Sequence, residues 1–187
     1  NTRVQEWTGQ NGEYVVQTSR GKFSAKKLIF TSGAWTKQLL PDISEKLRVT
    51  KQTLGWYNPT SWNGFMLDQF PCWMFAPRGT PGIFYGFPIL SATKFSGPLG
   101  LKIAYHSEGM ATDPDHREPK ADPGDIEILN KFVKKYLPTA GEMITSKTCL
   151  YTYSEDEDFY IDHLPEYDAN VAVACGFSGH GFKFAPV

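Results

Sequence analysis

The sequence predicts an α+β fold: a mixed or antiparallel sheet with one long helix, flanked by two α/β-like pieces at the ends of the chain. Three observations support this class. Short stretches rich in β-branched and aromatic residues alternate with Pro and Gly from position 49 to 87, which is typical of an antiparallel meander. A single long amphipathic stretch occupies residues 122–137. Near each end, a strand-like run leads into a turn that contains glycine, as at the junctions of α/β units.

The amino-terminal piece begins with strand-like sequence. Residues 13–18 and 27–31 are rich in β-branched and aromatic side chains, so we expect two strands there. The second strand ends at Ser32-Gly33, and residues 34–40 can then form two helical turns before Pro41 ends them. This order of strand, turn and short helix indicates an α/β junction.

The middle of the chain is predicted to consist of short strands. The candidates are residues 50–57, 64–70, 72–76, 83–85 and 101–107. Residues 88–98 are expected to form a loop, and residues 111–123 form a polar excursion rich in turn-forming residues. After the helix, three more strands are expected at residues 147–153, 159–161 and 170–175.

The long helix has a clear start and stop. Asp122 suits the N-cap and Pro123 suits the first helical position, while Pro138 ends the helix. Acidic residues lie near its positive end and lysines near its negative end. Its apolar face consists of Ile126, Leu129, Phe132, Val133, Tyr136 and Leu137.

Composition and charge exclude several classes of protein. The 187 residues carry 19 basic and 20 acidic side chains, for a net charge of -1, so there is no electrostatic signature of nucleic-acid binding. No stretch approaches the ~20 apolar residues that span a bilayer, and we expect no membrane partner. The three cysteines, Cys72, Cys149 and Cys175, are scattered without a C-x-x-C motif, which fits a reducing, cytoplasmic compartment.

Lys102 and His106 are candidate functional residues in the strand at 101–107. Strand alternation places both on one face and the apolar Leu101, Ile103 and Tyr105 on the other. The two polar residues lie roughly 13 Å apart along the strand, too far to pair directly. Either they contact two positions of one flat ligand, or they belong to a polar face exposed to solvent.

Cys149 shares one face of the strand at 147–153 with Tyr151 and Tyr153. A half-buried aromatic face and a pocket wall that carries a thiol both fit this pattern. A cysteine becomes a nucleophile only as the thiolate, which nearby positive charge favours, and Lys147 lies on the same face. Taken alone, the residues favour the structural interpretation.

The segment after the last predicted strand is the most informative. Its glycines are spaced G-x-x-G-x-G (Gly176, Gly179, Gly181), with His180 and Lys183 in the same turn. Glycine allows close approach of a ligand to the backbone, and free N–H groups there would bind an anion. A purely structural turn is the alternative. The acidic run at residues 155–158 lacks EF-hand spacing, so we expect a solvated turn and no metal site.

Three blocks of sequence, in this order, resemble the carboxy-terminal half of the monomeric sarcosine oxidase and N-methyltryptophan oxidase family. They are residues 100–106 (GLKIAYH), 147–152 (KTCLYT) and 176–184 (GFSGHGFKF). Residues 85–88 (YGFP) and 162–165 (DHLP) fit the same family. The resemblance extends from about Leu28 to the end of the chain.

This resemblance implies an FAD-dependent amine oxidase of the glycine/D-amino-acid oxidase superfamily. Such an enzyme oxidises the C–N bond of a small N-methylated amino acid with O2, and gives the demethylated amino acid, formaldehyde and hydrogen peroxide. The resemblance assigns Lys102 and His106 to catalysis, with Lys102 promoting oxygen reduction, and Cys149 to covalent attachment of FAD. It assigns further cofactor contacts to Gly176, Phe177, Ser178, Gly179, Gly181 and Lys183. It assigns substrate contacts to Tyr85, His106, Tyr151, His180 and Lys183.

The resemblance also implies a division into domains. Residues 1–46 and 148–187 would belong to an α/β FAD-binding (GR2-like) domain, and residues 47–147 would form the substrate-binding domain. The sequence has no G-x-G-x-x-G and no initiator Met, so we expect a piece of a longer, monomeric enzyme, inactive alone and with weak or absent FAD binding. The loop at residues 89–99 is longer than in sarcosine oxidases. A non-enzymatic binding module and a flavin amine dehydrogenase remain the alternatives.

Overall fold

The structure, a computed structural model, describes residues 2–10, 12–116, 118 and 120–187. The chain forms two compact units. Unit 1 comprises Asn1–Val49 and Tyr151–Val187, and unit 2 comprises Thr50–Leu150. Within the polar excursion predicted at 111–123, residues 117 and 119 lie outside the described residues.

The described secondary structure is mostly β. The strands are β1 (Val4–Gln10), β2 (Glu13–Thr18), β3 (Gly21–Ala25), β4 (Leu28–Phe30), β5 (Leu47–Asn58), β6 (Trp73–Phe75), β7 (Ile83–Phe87), β8 (Leu101–His106), β9 (Met110–Ala111), β10 (Glu142–Ser154), β11 (Tyr160–His163) and β12 (Val171–Cys175). The helices are α1 (Thr36–Leu39), α2 (Pro123–Tyr136) and the 3₁₀ helices Gly33–Trp35, Pro41–Lys46, Asn63–Phe65, Pro138–Ala140, Pro165–Asn170 and Gly181–Phe184. No helix in the described part of the chain is long and apolar enough to cross a membrane.

Unit 1 contains two three-stranded sheets. The first has the order β1-β2-β3 and is antiparallel. In the second, of order β11-β12-β4, β12 pairs antiparallel with β11 and parallel with β4. The apolar side chains of Tyr14, Phe30, Val171 and Cys175 are buried in one core. The parallel pair fits the predicted α/β character of the chain ends.

Unit 2 is built on a sheet of order β10-β5-β8-β7-β6, with β9 also paired to β5. Strands β6, β7 and β8 pair antiparallel in chain order, and β5 pairs antiparallel with β8. The predicted antiparallel sheet is confirmed, but the predicted meander over residues 49–87 is not, because β5 lies beside β8 and not beside β6. Helix α2 packs on one face of this sheet, where the Phe132 ring stacks on Phe84 with centroids 3.9 Å apart. Leu101 and Ile103 are fully buried in the same core.

Helix α2 follows its sequence signals closely. The Asp122 side chain accepts a hydrogen bond from the Gly124 N–H at 2.8 Å, which makes it the N-cap, and Pro123 is the first helical residue. The predicted apolar face is buried at Leu129, Phe132 and Val133. Helix α2 therefore covers one face of the sheet of unit 2, and the opposite face is not covered by this helix.

One local prediction was wrong. Residues 64–70 do not form a strand; a 3₁₀ helix and a turn occupy this stretch, and the Phe65 and Phe70 rings pack together with centroids 5.0 Å apart. Aromatic residues favour strands, but here they stabilise a compact turn, in which the Phe65 carbonyl also accepts a hydrogen bond from the Ile89 N–H. The helical stretch predicted to end before Pro41 is confirmed, because α1 ends at Leu39 and Leu40 is not helical; Pro41 then begins a separate 3₁₀ helix, Pro41–Lys46. Strands β1 and β3 were not anticipated.

Candidate functional site

Lys102 lies in β8 with an aromatic residue on each side. The strand register places Trp56 of β5 and Phe87 of β7 directly opposite it. Its Nζ atom lies 5.8 Å from the centroid of the Trp56 ring and 5.1 Å from that of Phe87, within cation–π range. Among the residues that the structure describes, no carboxylate forms an ion pair with Lys102. The ammonium charge is thus held between two rings without being neutralised by an acid.

The residues next to Lys102 on the same side of the sheet are apolar. Ala104 lies between Leu54 of β5 and Tyr85 of β7, and Ala104 is almost fully buried. We call this side of the sheet, which points away from α2, the Lys102 face. It carries Leu54, Trp56, Tyr85, Phe87, Lys102, Ala104 and His106.

His106 lies at the far end of the Lys102 face. It is half-buried, and Ile83 lies opposite it on β7. Four strand positions separate it from Lys102, about 13 Å along β8. The predicted alternation of β8 is confirmed, because Leu101 and Ile103 lie in the core on the opposite face.

Cys149 of β10 packs against the apolar cluster of the Lys102 face. The cluster consists of Leu54, Trp56 and Ala104, and the thiol side chain is half-buried. Lys147 Nζ lies 5.8 Å from the Trp56 ring, the same distance as Lys102 Nζ. Two lysine ammonium groups therefore lie near Trp56, which is one member of the cluster against which Cys149 packs.

The other two cysteines have different surroundings. Cys72 is exposed. Cys175 is fully buried in unit 1, and burial raises the pKa of its thiol to about 11. It is therefore a neutral thiol at physiological pH, as is usual for a cysteine at the end of an apolar strand.

In unit 1, residues 176–181 form a turn that we call the glycine turn. Ser178 holds it in place: its N–H donates to the Thr152 carbonyl at 2.9 Å, and its hydroxyl donates to the Gly176 carbonyl at 3.1 Å. The Ser154 N–H donates to the same hydroxyl at 3.3 Å. Ser178 is fully buried with φ of 47°, a backbone conformation that is uncommon for a residue with a side chain.

Gly179 lies directly against the Tyr151 ring. A Cβ atom at this position would overlap that ring, and φ is +77°. Glycine is thus required here both by conformation and by space. The Gly179 residue is exposed, and no hydrogen bond to its N–H is found within the described part of the chain.

The structure narrows the set of N–H groups that the glycine turn could offer to a ligand. Ser178 N–H is bonded to Thr152, and His180 N–H donates to the Phe177 carbonyl at 2.9 Å. No long helix begins after the turn; a four-residue 3₁₀ helix, Gly181–Phe184, follows it. The predicted anion site therefore loses the N–H groups of Ser178 and His180 and keeps that of Gly179.

His180 is oriented by contacts of its ring. Its Nδ1 lies 3.1 Å from the Ser178 carbonyl, which can only accept, so Nδ1 is the donor of this hydrogen bond and Nε2 is left to face other groups. The ring packs on Phe159 at 4.9 Å, and Phe159 also contacts Phe177 and Phe184. Lys183 is exposed, with Nζ 5.3 Å from the Phe184 ring.

The structure brings the predicted residues together in two groups. Lys102, His106, Tyr85 and Cys149 belong to unit 2, whereas Tyr151 and the glycine turn with Lys183 belong to unit 1. Sequence reasoning missed Trp56 and Phe159. Neither carries a local signal, because each matters only through residues distant in sequence. Among the described residues, no cluster of His, Cys, Asp or Glu is arranged to hold a metal ion.

Comparison with known proteins identifies the family. The family described as DAO, FAD dependent oxidoreductase, matches residues 1–187. The chain belongs to this family. It is 39% identical to a monomeric sarcosine oxidase of Bacillus sp. (strain NS-129), over 100% of this chain and 47% of that protein. It is 33% identical to an N-methyl-L-tryptophan oxidase of Citrobacter koseri, over 95% of this chain and 45% of that protein.

Solved structures show the same fold. NikD, described as an unusual amino acid oxidase essential for nikkomycin biosynthesis, matches 99% of this chain and 48% of its own with a TM-score of 0.77 and 21% identity. A fructosamine oxidase from Aspergillus fumigatus gives a TM-score of 0.76 at 20% identity, over 98% of this chain and 45% of its own. The chain thus spans just under half the length of the relatives that it matches.

Proposed function

We propose that this chain is part of an FAD-dependent amine oxidase that oxidises the C–N bond of an N-methyl amino acid of the sarcosine or N-methyltryptophan type with O2. With one water consumed in hydrolysis of the imine, the products would be the demethylated amino acid, formaldehyde and hydrogen peroxide. Family membership over residues 1–187 supports this reaction class. The observation that carries the proposal is Lys102, an ammonium held between two aromatic rings on the face that Cys149 contacts.

The residues present fit FAD as the cofactor. Cys149 is the attachment point that we propose, because its half-buried side chain packs against the cluster of Leu54, Trp56 and Ala104, and two lysines lie near Trp56. Gly179 offers an exposed N–H on a backbone stretch where the absence of a side chain permits close approach. When bound, FAD supplies the two-electron acceptor for the amine and passes the electrons to O2. In this proposal residues 1–46 and 148–187 belong to the FAD-binding domain, and residues 47–147 form the substrate-binding domain.

In unit 2, Lys102 would stabilise the negative charge that develops on O2. A fixed cation in surroundings of low polarity is effective in this role, since it needs no reorganisation during the reaction. Trp56 and Phe87 hold the ammonium and provide such surroundings. His106 and Tyr85, on the same face, would contact the substrate.

In unit 1, Lys183 would bind the substrate carboxylate as a point charge. Its exposed side chain on the 3₁₀ helix leaves the ammonium accessible. His180 would present Nε2 to the substrate, because Nδ1 is bonded to the Ser178 carbonyl. Tyr151 supports the glycine turn and would contribute a ring to the substrate contacts.

The reaction is tested on the intact protein that contains this chain. N-methylglycine and N-methyltryptophan are supplied in air, and hydrogen peroxide and formaldehyde are measured. We expect both products in equal amounts from at least one amine. Dye reduction by the amine without peroxide would instead indicate a dehydrogenase, and absence of a flavin spectrum would indicate a binding module. Cytoplasmic localisation and a monomeric state stay predictions.

Covalent attachment has a separate test. The intact protein is denatured with acid and precipitated, and flavin absorbance is measured in the pellet. We expect the colour in the pellet for the unaltered protein and for Cys72→Ala, whose thiol is exposed and outside the site. Cys149→Ala should release all colour to the supernatant. Colour retained in the pellet of Cys149→Ala would refute this role.

A further inference from the structure

The face of the unit 2 sheet that α2 covers contains a small pocket beside the first turn of this helix. Strand alternation places Lys51 and Thr53 of β5 on this face, opposite to the Lys102 face. We call it the Lys51 pocket, and its lining includes Lys51, Thr53, Gly109, Asp125 and Leu129. Because the sheet lies between this pocket and Lys102, the pocket is distinct from the candidate functional site.

Lys51 is the unusual residue of this pocket. Its side chain carries a charge, yet the residue is only 9% exposed. Within the part of the chain that the structure describes, no carboxylate lies within ion-pair distance of its ammonium, and no side chain or carbonyl forms a hydrogen bond with it. Lysine is almost never buried without a partner, because an unpaired charge loses its hydration there. The ammonium therefore needs an acceptor inside the pocket.

Asp125 supplies the opposite charge but is held by another residue. The Thr53 hydroxyl donates a hydrogen bond to Asp125 Oδ2 at 2.6 Å. This bond fixes the carboxylate of the first turn of α2 against β5 and leaves Oδ1 as a further acceptor. The ammonium and the carboxylate thus line one pocket without forming a direct ion pair.

The wall of the Lys51 pocket that precedes β9 is closely packed. Gly109 has φ of +67°, and a Cβ atom there would lie 2.8 Å from the Lys51 carbonyl oxygen. The next residue, Met110, pairs with Lys51 in the sheet. The pocket that remains has a volume of about 30 Å³, which is close to the volume that one water molecule occupies in the liquid.

We propose that the Lys51 pocket binds one water molecule that bridges Lys51 Nζ and the Asp125 carboxylate in a water-mediated ion pair. Water accepts a hydrogen bond from the ammonium and donates one to the carboxylate, and such bridges are nearly as favourable as direct bonds. An anion would be repelled by Asp125 and a cation by Lys51, so a neutral group that both donates and accepts suits the site. The bridge would fix the first turn of α2 on β5, and it does not depend on the oxidase activity proposed above.

Crystallography of the intact protein that contains this chain tests the bridge directly. The crystals are soaked in bromide, which an anion site would take up. We expect one density peak with the height of a water oxygen, about 2.7–3.2 Å from both Lys51 Nζ and an Asp125 oxygen, and no anomalous signal from bromide there. Direct contact between the ammonium and the carboxylate, a pocket without density, or bromide at the site would each overturn the proposal.

A double-mutant cycle tests whether the two charges are coupled. Lys51→Met removes the ammonium, whereas Asp125→Asn removes the negative charge and keeps an oxygen that can accept from Thr53. We expect Lys51→Met to lower the ratio of folded to unfolded protein at least about fivefold more in the unaltered protein than in Asp125→Asn. Urea unfolding of the intact protein in about 0.1 M and about 1 M salt measures both ratios.

The same helix offers a matched control pair. Lys131 and Glu127 are exposed, with Nζ 2.7 Å from Oε1. The cycle of Lys131→Met and Glu127→Gln should give a coupling below about twofold that disappears in about 1 M salt, because exposed charges are screened. The coupling of Lys51 and Asp125 should persist in that salt. A coupling no larger than the control, or one lost in salt, would overturn the proposal, and the crystallographic test needs no variant should Lys51→Met fail to fold.

Discussion

Ser178 and Gly179 show how two adjacent residues set the shape of the glycine turn. Ser178 adopts φ of 47° and offsets this strain with three hydrogen-bonding contacts in a buried place. Gly179 adopts φ of +77° and lies on the Tyr151 ring. Strain that is retained in this way is common at functional sites, because the geometry is needed there.

Replacement of Gly179 by alanine tests the contact with Tyr151. Gly12 has nearly the same φ, +76°, but nothing lies within 4 Å of a Cβ there. We expect Gly12→Ala to lower the free energy of unfolding by about 1 kcal/mol, from backbone strain alone. Gly179→Ala should lower it by about 2–4 kcal/mol, because the overlap with the ring adds to the strain. Urea unfolding measures both.

The double variant Gly179→Ala/Tyr151→Ala separates the two causes. Removal of the ring relieves the overlap, so adding Gly179→Ala to Tyr151→Ala should cost no more than Gly12→Ala does. An undiminished cost in the Tyr151→Ala background would mean that the ring is not the reason for glycine at this position.

Lys102 is the residue on which the proposed oxygen chemistry depends. In the intact protein, we expect Lys102→Met to slow the oxygen-dependent half of turnover by about 10²-fold or more, since the fixed positive charge is lost. Reduction by the amine under anaerobic conditions should change far less. Rapid-mixing absorbance measurements distinguish the two half-reactions.

Lys147→Met is the control for that prediction. Lys147 lies as close to the Trp56 ring as Lys102 does, so its removal reports the general effect of losing one lysine beside the indole. A parallel fall in both half-reactions of Lys102→Met would argue for a structural role of this lysine and against a role in oxygen reduction.

At the scale of elements, α2 shows a helix whose limits follow from its own sequence. Its N-cap bond, from the Gly124 N–H to Asp122, satisfies one of the helix's first N–H groups, and Pro123 lacks an N–H that would need a partner. Its buried residues, Leu129, Phe132 and Val133, recur at helical spacing. This helix covers one face of the sheet and so determines which face carries Lys102.

Removal of the cap tests its contribution to stability. Asp122→Ala should lower the free energy of unfolding by about 1 kcal/mol, while Asp122→Asn, which keeps an acceptor oxygen, should cost much less. Circular dichroism at 222 nm during urea unfolding measures the difference. Equal destabilisation by both variants would show that charge at the helix terminus matters more than the hydrogen bond.

Strand β8 was predictable for a related reason. Its residues alternate between the core and the Lys102 face, and alternation is a local property of the sequence. The stretch at residues 64–70 has strand-like composition but no regular alternation, and it forms a turn stabilised by the Phe65–Phe70 contact. Composition alone was insufficient there because aromatic residues also stabilise compact turns.

At the scale of the whole molecule, burial of groups that ionise at high pH affects stability. Burial raises the pKa of Tyr57 in unit 2, and of Tyr160 and Cys175 in unit 1. A group whose pKa is higher in the folded state than in the unfolded state stabilises the fold below its unfolded pKa, and this contribution is lost as the pH rises. The protein is therefore expected to lose stability on the alkaline side.

The pH range of this loss of stability can be stated for Cys175. Burial raises its pKa from the ordinary value of 9.0 to about 11 in the folded chain, so its contribution should be complete below about pH 9 and lost between there and about pH 11. Urea unfolding at a series of pH values, compared with Cys175→Ala, measures it. A constant difference between the two proteins across this range would contradict the prediction.

The sequence predicted only those residues of the candidate site that can be recognised from a short stretch of the chain. Lys102, His106 and Cys149 could be selected from strand patterns and from blocks that resemble a known family. The contacts that give Lys102 its surroundings could not, because Trp56 and Phe87 come from strands 46 and 15 positions away in the sequence. The hydrogen bond between Ser178 and Thr152 likewise joins residues far apart in the chain. Because it uses the Ser178 N–H, that group is not available to bind a ligand, as the glycine pattern had suggested.

By itself, the sequence determined the limits of α2, the faces of β8 and the resemblance to a family, since each depends on residues that are neighbours or recur at a fixed period. Only the tertiary structure decided which aromatic rings flank Lys102 and which N–H groups of the glycine turn are used. These depend on strand register and loop anchoring, which are set by many weak contacts between distant parts of the chain, and no short stretch of sequence encodes them.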